Sequence, residues 1–69
     1  MIVIVKYYDE NRTNISIMGV YSNRKEAKKW LHKIVNHDHK DGKKVSVYDD
    51  VVLFDDGIMY RIEEDMYVI

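Results

Sequence analysis

Three histidines and two aspartates crowd one short stretch of the chain: His32, His37-Asp38-His39 and Asp41. Imidazole nitrogens beside carboxylates are the ligand types that hold Zn, Ni or Cu. The spacing works against a shared ion, because His32 and His37 stand five apart and splay on a continuing helix. No second ligand group closes a coordination shell. No metal site is therefore expected, His37 and His39 being weak imidazole candidates. Their expected role is simpler: positive charge near a helix C-terminus, where the macrodipole favours it. No cofactor is expected.

A second set is acidic: Asp49, Asp50, Asp55, Asp56, Glu63, Glu64 and Asp65. Paired carboxylates hold Mg²⁺ or share a proton in acid–base work, provided that a pocket converges them. Turn chemistry accounts for Asp49-Asp50 and Asp55-Asp56 without catalysis. The sharper expectation is one contact surface made of Asp55, Asp56, Glu63 and Glu64 with Tyr48, Tyr60 and Tyr67. Such a surface would imitate a phosphate backbone and occupy a basic groove on a partner. Six tyrosines suit it, since each offers apolar area with a polar tip, although tyrosine also favours strands. Tyr8 and Tyr67 are the two expected to be most exposed.

The third set is basic: Arg24, Lys25, Lys28, Lys29, His32 and Lys33, continued by Lys40, Lys43 and Lys44. It forms an alternative contact face that fits along phosphates. Trp30 is assigned to the apolar stripe of the same helix, which leaves the face without an aromatic to stack a base. Nucleic acid accordingly ranks behind a protein partner. No Walker loop, Gly-x-Gly-x-x-Gly, nucleophile elbow or His-Glu-x-x-His is present, so no enzyme is expected.

The elements that position these residues follow from periodicity. Residues 1–8 read as a strand with Ile2 and Ile4 on one face and Val3, Val5 and Tyr7 on the other. After the polar turn Asp9-Glu10-Asn11-Arg12, residues 14–21 read as a second strand, making a hairpin. Ser22 or Asn23 caps a helix, and Asn23 with Glu26 fits a capping box. Ala27, Trp30, Leu31, Ile34 and Val35 recur at helical spacing and form the apolar stripe, with Lys25, Lys28, Lys29, His32 and Asn36 opposite. The helix ends at Asn36, or runs to Lys40 with Gly42 beyond. Strands follow around Val45 and Val47 and over Val51–Phe54. Asp55-Asp56-Gly57 signals a tight hairpin, and Ile58, Tyr60 and Ile62 alternate in the return strand. Met66 to Ile69 would add an edge strand. The order β-β-α-β-β(-β) is that of an α+β domain, one helix packed on a mostly antiparallel sheet, spanning residues 1–69 as a single unit.

Sixty-nine residues give one small core, and cysteine is absent, which removes disulfides and thiolate metal sites. Small domains of this kind often gain stability from a partner copy. Because Ile2-Val3-Ile4-Val5 is apolar on both faces and one helix covers only one, a homodimer through strand one or the uncovered sheet face is expected. Net charge is −1, which excludes a uniformly basic nucleic-acid binder. The charge is segregated: residues 23–44 carry eight Lys/Arg against three Asp/Glu, and residues 45–69 carry one against seven. Such a layout steers charged partners toward one side. The apolar start is far shorter than the ~20 residues of a membrane span and lacks a basic flank, so neither span nor signal peptide is expected, and a cytoplasmic protein is the default.

The run Gly19-Val20-Tyr21-Ser22-Asn23-Arg24-Lys25-Glu26-Ala27-Lys28-Lys29-Trp30-Leu31 resembles the Gly-Val-[Phe/Tyr]-Ser-x-x-x-Glu-Ala helix start of many short phage and mobile-element proteins of unknown function. They share its length and its strand–strand–helix–strand order, and they carry no enzyme motif. The resemblance covers about a fifth of the chain and brings no functional residue with it. It implies a small phage-type accessory protein, and such proteins often bind and block a host factor. The expected function is a non-enzymatic binding protein that inhibits a host defence or nucleic-acid-processing protein. Two alternatives stand beside it: a dimer whose cleft holds a nucleotide signal, and a nucleic-acid-binding module using the basic helix.

Overall fold

A computed structural model describes residues 2–64. The elements are β1 (Ile2–Tyr7), β2 (Ile15–Tyr21), α1 (Arg24–Asp38), β3 (Lys44–Val47), β4 (Val51–Phe54) and β5 (Met59–Glu64). They form the α+β domain expected, with one helix on a five-stranded antiparallel sheet of order β2-β1-β5-β4-β3. The edge strand expected at Met66–Ile69 lies outside the described residues, as does Tyr67.

Alternation in β1 sets both layers. Ile4 joins Ile62, Tyr60, Val52 and Phe54 beneath Ala27, Leu31 and Val35 of α1, with Ile2 packed at the margin. Val3, Val5 and Tyr7 point the other way and form a second cluster with Met59. β1 lies between β2 and β5, and both of its backbone edges are paired. It therefore offers no edge to another chain, which removes strand one as a dimer seam and leaves the helix-free face.

Asn23 caps α1, its side-chain oxygen accepting from the Glu26 amide at 2.9 Å. The reciprocal bond from the Glu26 carboxylate is not formed among the described residues. The helix stops at Asp38, between the two ends expected; the His39 amide closes it on the Val35 carbonyl at 2.9 Å. Ala27, Leu31 and Val35 are buried, but Trp30 is 40% exposed. The stripe is narrower than its spacing suggests, because Trp30 sits at its edge, over the margin of the sheet beside Met18 of β2.

Asp49-Asp50 turns β3 into β4, with the Tyr48 amide donating to the Val51 carbonyl. Between β4 and β5, Gly57 adopts φ +91°, its amide donates to the Phe54 carbonyl, and Phe54 in turn donates to Ile58. This is a three-residue hairpin loop closed by a glycine bulge, as Asp-Asp-Gly foretold. In the β1–β2 loop the Asp9 carboxylate accepts from the Thr13 amide and hydroxyl and from Asn14. Arg12 there takes a left-handed φ of 59°.

Candidate functional site

The polar side chains of interest lie at the two ends of the sheet and along the outer side of α1. At the end where α1 finishes, Lys6 continues the helix-facing side of β1 after Ile2 and Ile4. Its ammonium stands 2.6 Å from Oδ2 of Asp38, and the Tyr60 hydroxyl donates to that same oxygen at 2.6 Å. Lys6 is nearly buried and Tyr60 is fully buried. The Lys6 hydrogen bond, then that of Tyr60, hold the Asp38 carboxyl below its usual range. Burial works against the Lys6 ammonium, but the bonds to Asp38 and Tyr60 outweigh it and raise its pKa. Burial first, then the bond to Asp38, push the Tyr60 hydroxyl up to about 12. At neutral pH the junction is an ion pair with a neutral phenol, and it pins the helix end to the two middle strands. Nothing in it is poised to exchange a proton near pH 7.

Beside this junction, Met18, Trp30, Lys33, Ile34, His37 and Asp38 line a groove of about 390 Å³. The Lys33 ammonium lies 4.7 Å from the centre of the indole ring. On the far side of α1, His39 packs its ring 4.0 Å from that of Phe54. Its Nε2 is buried without a hydrogen-bond partner among the described residues, 3.5 Å from Asp56 Oδ2. His37 is exposed, so the two histidines diverge. Among the described residues no three His, Asp or Glu side chains gather as a metal-binding group.

The acidic and tyrosine residues do not share one surface. Asp55 and Asp56 sit in the β4–β5 turn, while Glu63 and Glu64 close the opposite end of β5. At about 3.4 Å per residue the length of that strand separates them by on the order of 17 Å. Glu63 accepts from the Tyr7 hydroxyl on the helix-free face, and Glu64 is bound to Arg24 Nε at 2.6 Å. Tyr48 is exposed beside the Asp49-Asp50 turn, whereas Tyr60 is core. The reason is the strand period: Tyr60 and Ile62 face α1, so the residues between them, not Tyr60, meet solvent. Of the basic face, Lys25, Lys28, Lys29 and Lys33 are exposed, and Arg24 is drawn into its pair with Glu64.

A larger groove, of about 560 Å³, opens on the helix-free face between the β1–β2 loop and the β4–β5 turn. Val45, Leu53 and Met59 supply its apolar lining; Asp9, Glu10 and Asp55 supply its acids, and Arg12 also borders it. Across the same face Ile15, Ile17, Val20 and Val45 are 37–53% exposed. Sequence reasoning missed both grooves and the Lys6 junction. Lys6 could have been found, since alternation puts this one cation on the side of Ile2 and Ile4. No protein family, curated protein or solved structure matches the chain. Among the described residues no helix is long and apolar enough to cross a membrane.

Proposed function

We infer that this chain is a non-enzymatic binding protein that acts by covering a partner's surface, in keeping with the phage-type inhibitor role that the resemblance at residues 19–31 implies. The observation that carries the reading is the helix-free face. It presents Ile15, Ile17, Val20 and Val45 to solvent, and it opens into a groove with an apolar lining and three carboxylates. Ile15, Ile17 and Val20 form a row along one edge of the face and Val45 borders the groove at the other, and exposed apolar rows with a polar rim mark contact sites.

Covering the exposed remainder of those four side chains is worth roughly 1 kcal/mol each, which the loss of translational and rotational freedom on association cancels. Useful binding needs the rim as well. Asp9, Glu10 and Asp55 suit a partner that inserts a lysine or arginine beside Val45, Leu53 and Met59, the charged head meeting the acids and its methylene stem the apolar lining. The partner is a protein with a basic, partly apolar patch, such as the groove of a nucleic-acid-processing enzyme.

Affinity capture from a bacterial lysate tests this with three baits: the native chain, Asp55→Lys/Asp56→Lys and Glu63→Lys/Glu64→Lys. A protein held by the native chain and by the second double variant, but lost with the first, supports the groove. Equal retention by all three baits, or none by any, overturns it.

A further inference from the structure

Folding alone leaves Trp30 unexplained. Ala27 and Leu31 on either side of it in the stripe are fully buried, yet this largest side chain of the helix keeps 40% of its surface in water. It lines the groove of about 390 Å³ together with Met18 and Ile34. That volume falls at the small end of ligand pockets and suits one planar group rather than a large molecule.

The charge around the indole is mostly positive. Lys25, Lys29, Lys33 and His37 follow one another four residues apart, a row along one side of α1, and all four are exposed. At 1.5 Å per residue the row runs about 18 Å. Trp30 stands three residues before Lys33 and seven before His37, and lines one groove with both, so the indole borders the row at its C-terminal half. Lys33 already rests its ammonium on the ring. The helix's two acids do not cancel this. Glu26, one turn before Trp30, leaves the four-residue row in excess, and Asp38, which also lines the groove, is paired with Lys6. An aromatic plane beside a line of cations is the combination that tracks a phosphodiester strand while stacking its bases.

We propose that this face binds single-stranded nucleic acid, one base stacking on Trp30 in the groove while the backbone follows Lys25, Lys29, Lys33 and His37. The Lys33 ammonium leaves the ring for a phosphate as the base enters. The site lies on the opposite side of the sheet from the acidic groove and does not depend on it.

Trp30 is the sole tryptophan, so its fluorescence reports the contact directly. Titration of the native chain with a short oligodeoxythymidylate should quench it to saturation. Neutralising three phosphates on a single strand gives a log–log salt slope of about −2. Measured by anisotropy of a labelled oligonucleotide, Trp30→Leu should weaken binding about tenfold, the usual cost of losing one stacked base. Lys29→Glu/Lys33→Glu should remove binding. Because all three positions are exposed, the variants should keep the native circular dichroism spectrum. Absence of quenching overturns the proposal. So does equal binding by Trp30→Leu, or by inorganic polyphosphate, which would reduce the site to charge alone. Quenching by thymidine monophosphate as strong as by the oligonucleotide would also overturn it, in favour of a free nucleotide.

Discussion

Lys6 on the first strand and Asp38 at the last turn of the helix are joined at 2.6 Å across 32 residues of chain. Their pairing fixes where the helix ends over the sheet, and the fully buried Tyr60 hydroxyl completes it. Removing one member is not equivalent to removing another. Asp38→Ala strands a nearly buried ammonium and should cost about 2 kcal/mol, in the range for hydrogen bonds to charged groups. Tyr60→Phe deletes one hydroxyl and should cost about 1 kcal/mol. Lys6→Met puts an apolar stem where the ammonium was and leaves Asp38 its partly open path to water, so it should be the mildest of the three. Urea unfolding of the three variants checks the order; Lys6→Met as damaging as Asp38→Ala would contradict it.

The same junction sets the pH dependence. Tyr60 titrates near 10.0 when unfolded and at about 12 when folded, and the Lys6 pKa is raised as well. Above pH 10 the unfolded chain gives up these protons first. The stability they supply is therefore whole below pH 10 and lost as pH climbs toward 12. Tyr7 and Tyr21, raised chiefly by burial, act in the same direction. Asp38 works at the other extreme: its lowered pKa gives stability present above about pH 4 and lost as pH falls further. Denaturation midpoints across pH should thus fall at both ends, and Tyr60→Phe should make the alkaline fall shallower. An unchanged alkaline limb in that variant would exclude Tyr60 as its source.

Gly42 and His39 share one volume. A β-carbon at 42 would overlap the imidazole and come within 2.7 Å of Phe54 Cδ1. Gly42→Ala must expel His39 from its place against Phe54 or push the loop outward, at about 1–3 kcal/mol for an overpacked site. His39→Ala opens the space, so the double variant should be less damaged than the two single costs summed. A double-mutant cycle in urea measures that coupling, and strict additivity would mean that the two residues do not compete for space.

How much of this was legible depends on which force fixed each element. The Asn23 cap, the Asp-Asp-Gly turn and the alternation of Tyr60 with Ile62 are local, and each is written in a few adjacent residues. Strand order is not local. Nothing in Ile2–Tyr7 says that β5 rather than another strand returns to its free side, so strand one was available as a seam only until the sheet was assembled. Trp30 fails differently. Helical spacing assigns it to the apolar stripe, but how wide a stripe the sheet covers is set by strands far off in sequence. The acidic surface failed for the same reason, since Asp55 and Glu63 are near in sequence and far apart along one extended strand.

The helix-free face predicts self-association where strand one does not. The domain measures 29 × 25 × 17 Å, and a specific pair needs about 600–800 Å² per copy, so a face-to-face pair would have to use most of that broad face. Ile17 and Val20 on the edge strand β2 are apolar groups of that face accessible to a second copy. Ile17→Asp/Val20→Asp should shift a native dimer to monomer in sedimentation velocity with the fold intact. A native chain that sediments as a monomer even at high concentration rules out the second copy and leaves the face to an unlike partner.

Leu31 and Trp30 are adjacent, both apolar and on one helix, and they should behave unequally. Leu31 is fully enclosed with Ile4, Val35 and Phe54, so Leu31→Ala loses its transfer energy and leaves a cavity, at about 2–5 kcal/mol. A 69-residue domain has roughly 3–10 kcal/mol in total, which puts this variant close to unfolding at physiological temperature. Trp30 keeps 40% of its surface in water, so Trp30→Ala should cost about 1–3 kcal/mol, less than Leu31→Ala despite deleting more atoms. Thermal and urea unfolding of the pair decide the matter before any ligand is added. If the two substitutions cost the same, the indole belongs to the core, its exposure has no functional meaning, and the nucleic-acid face loses the residue on which it turns.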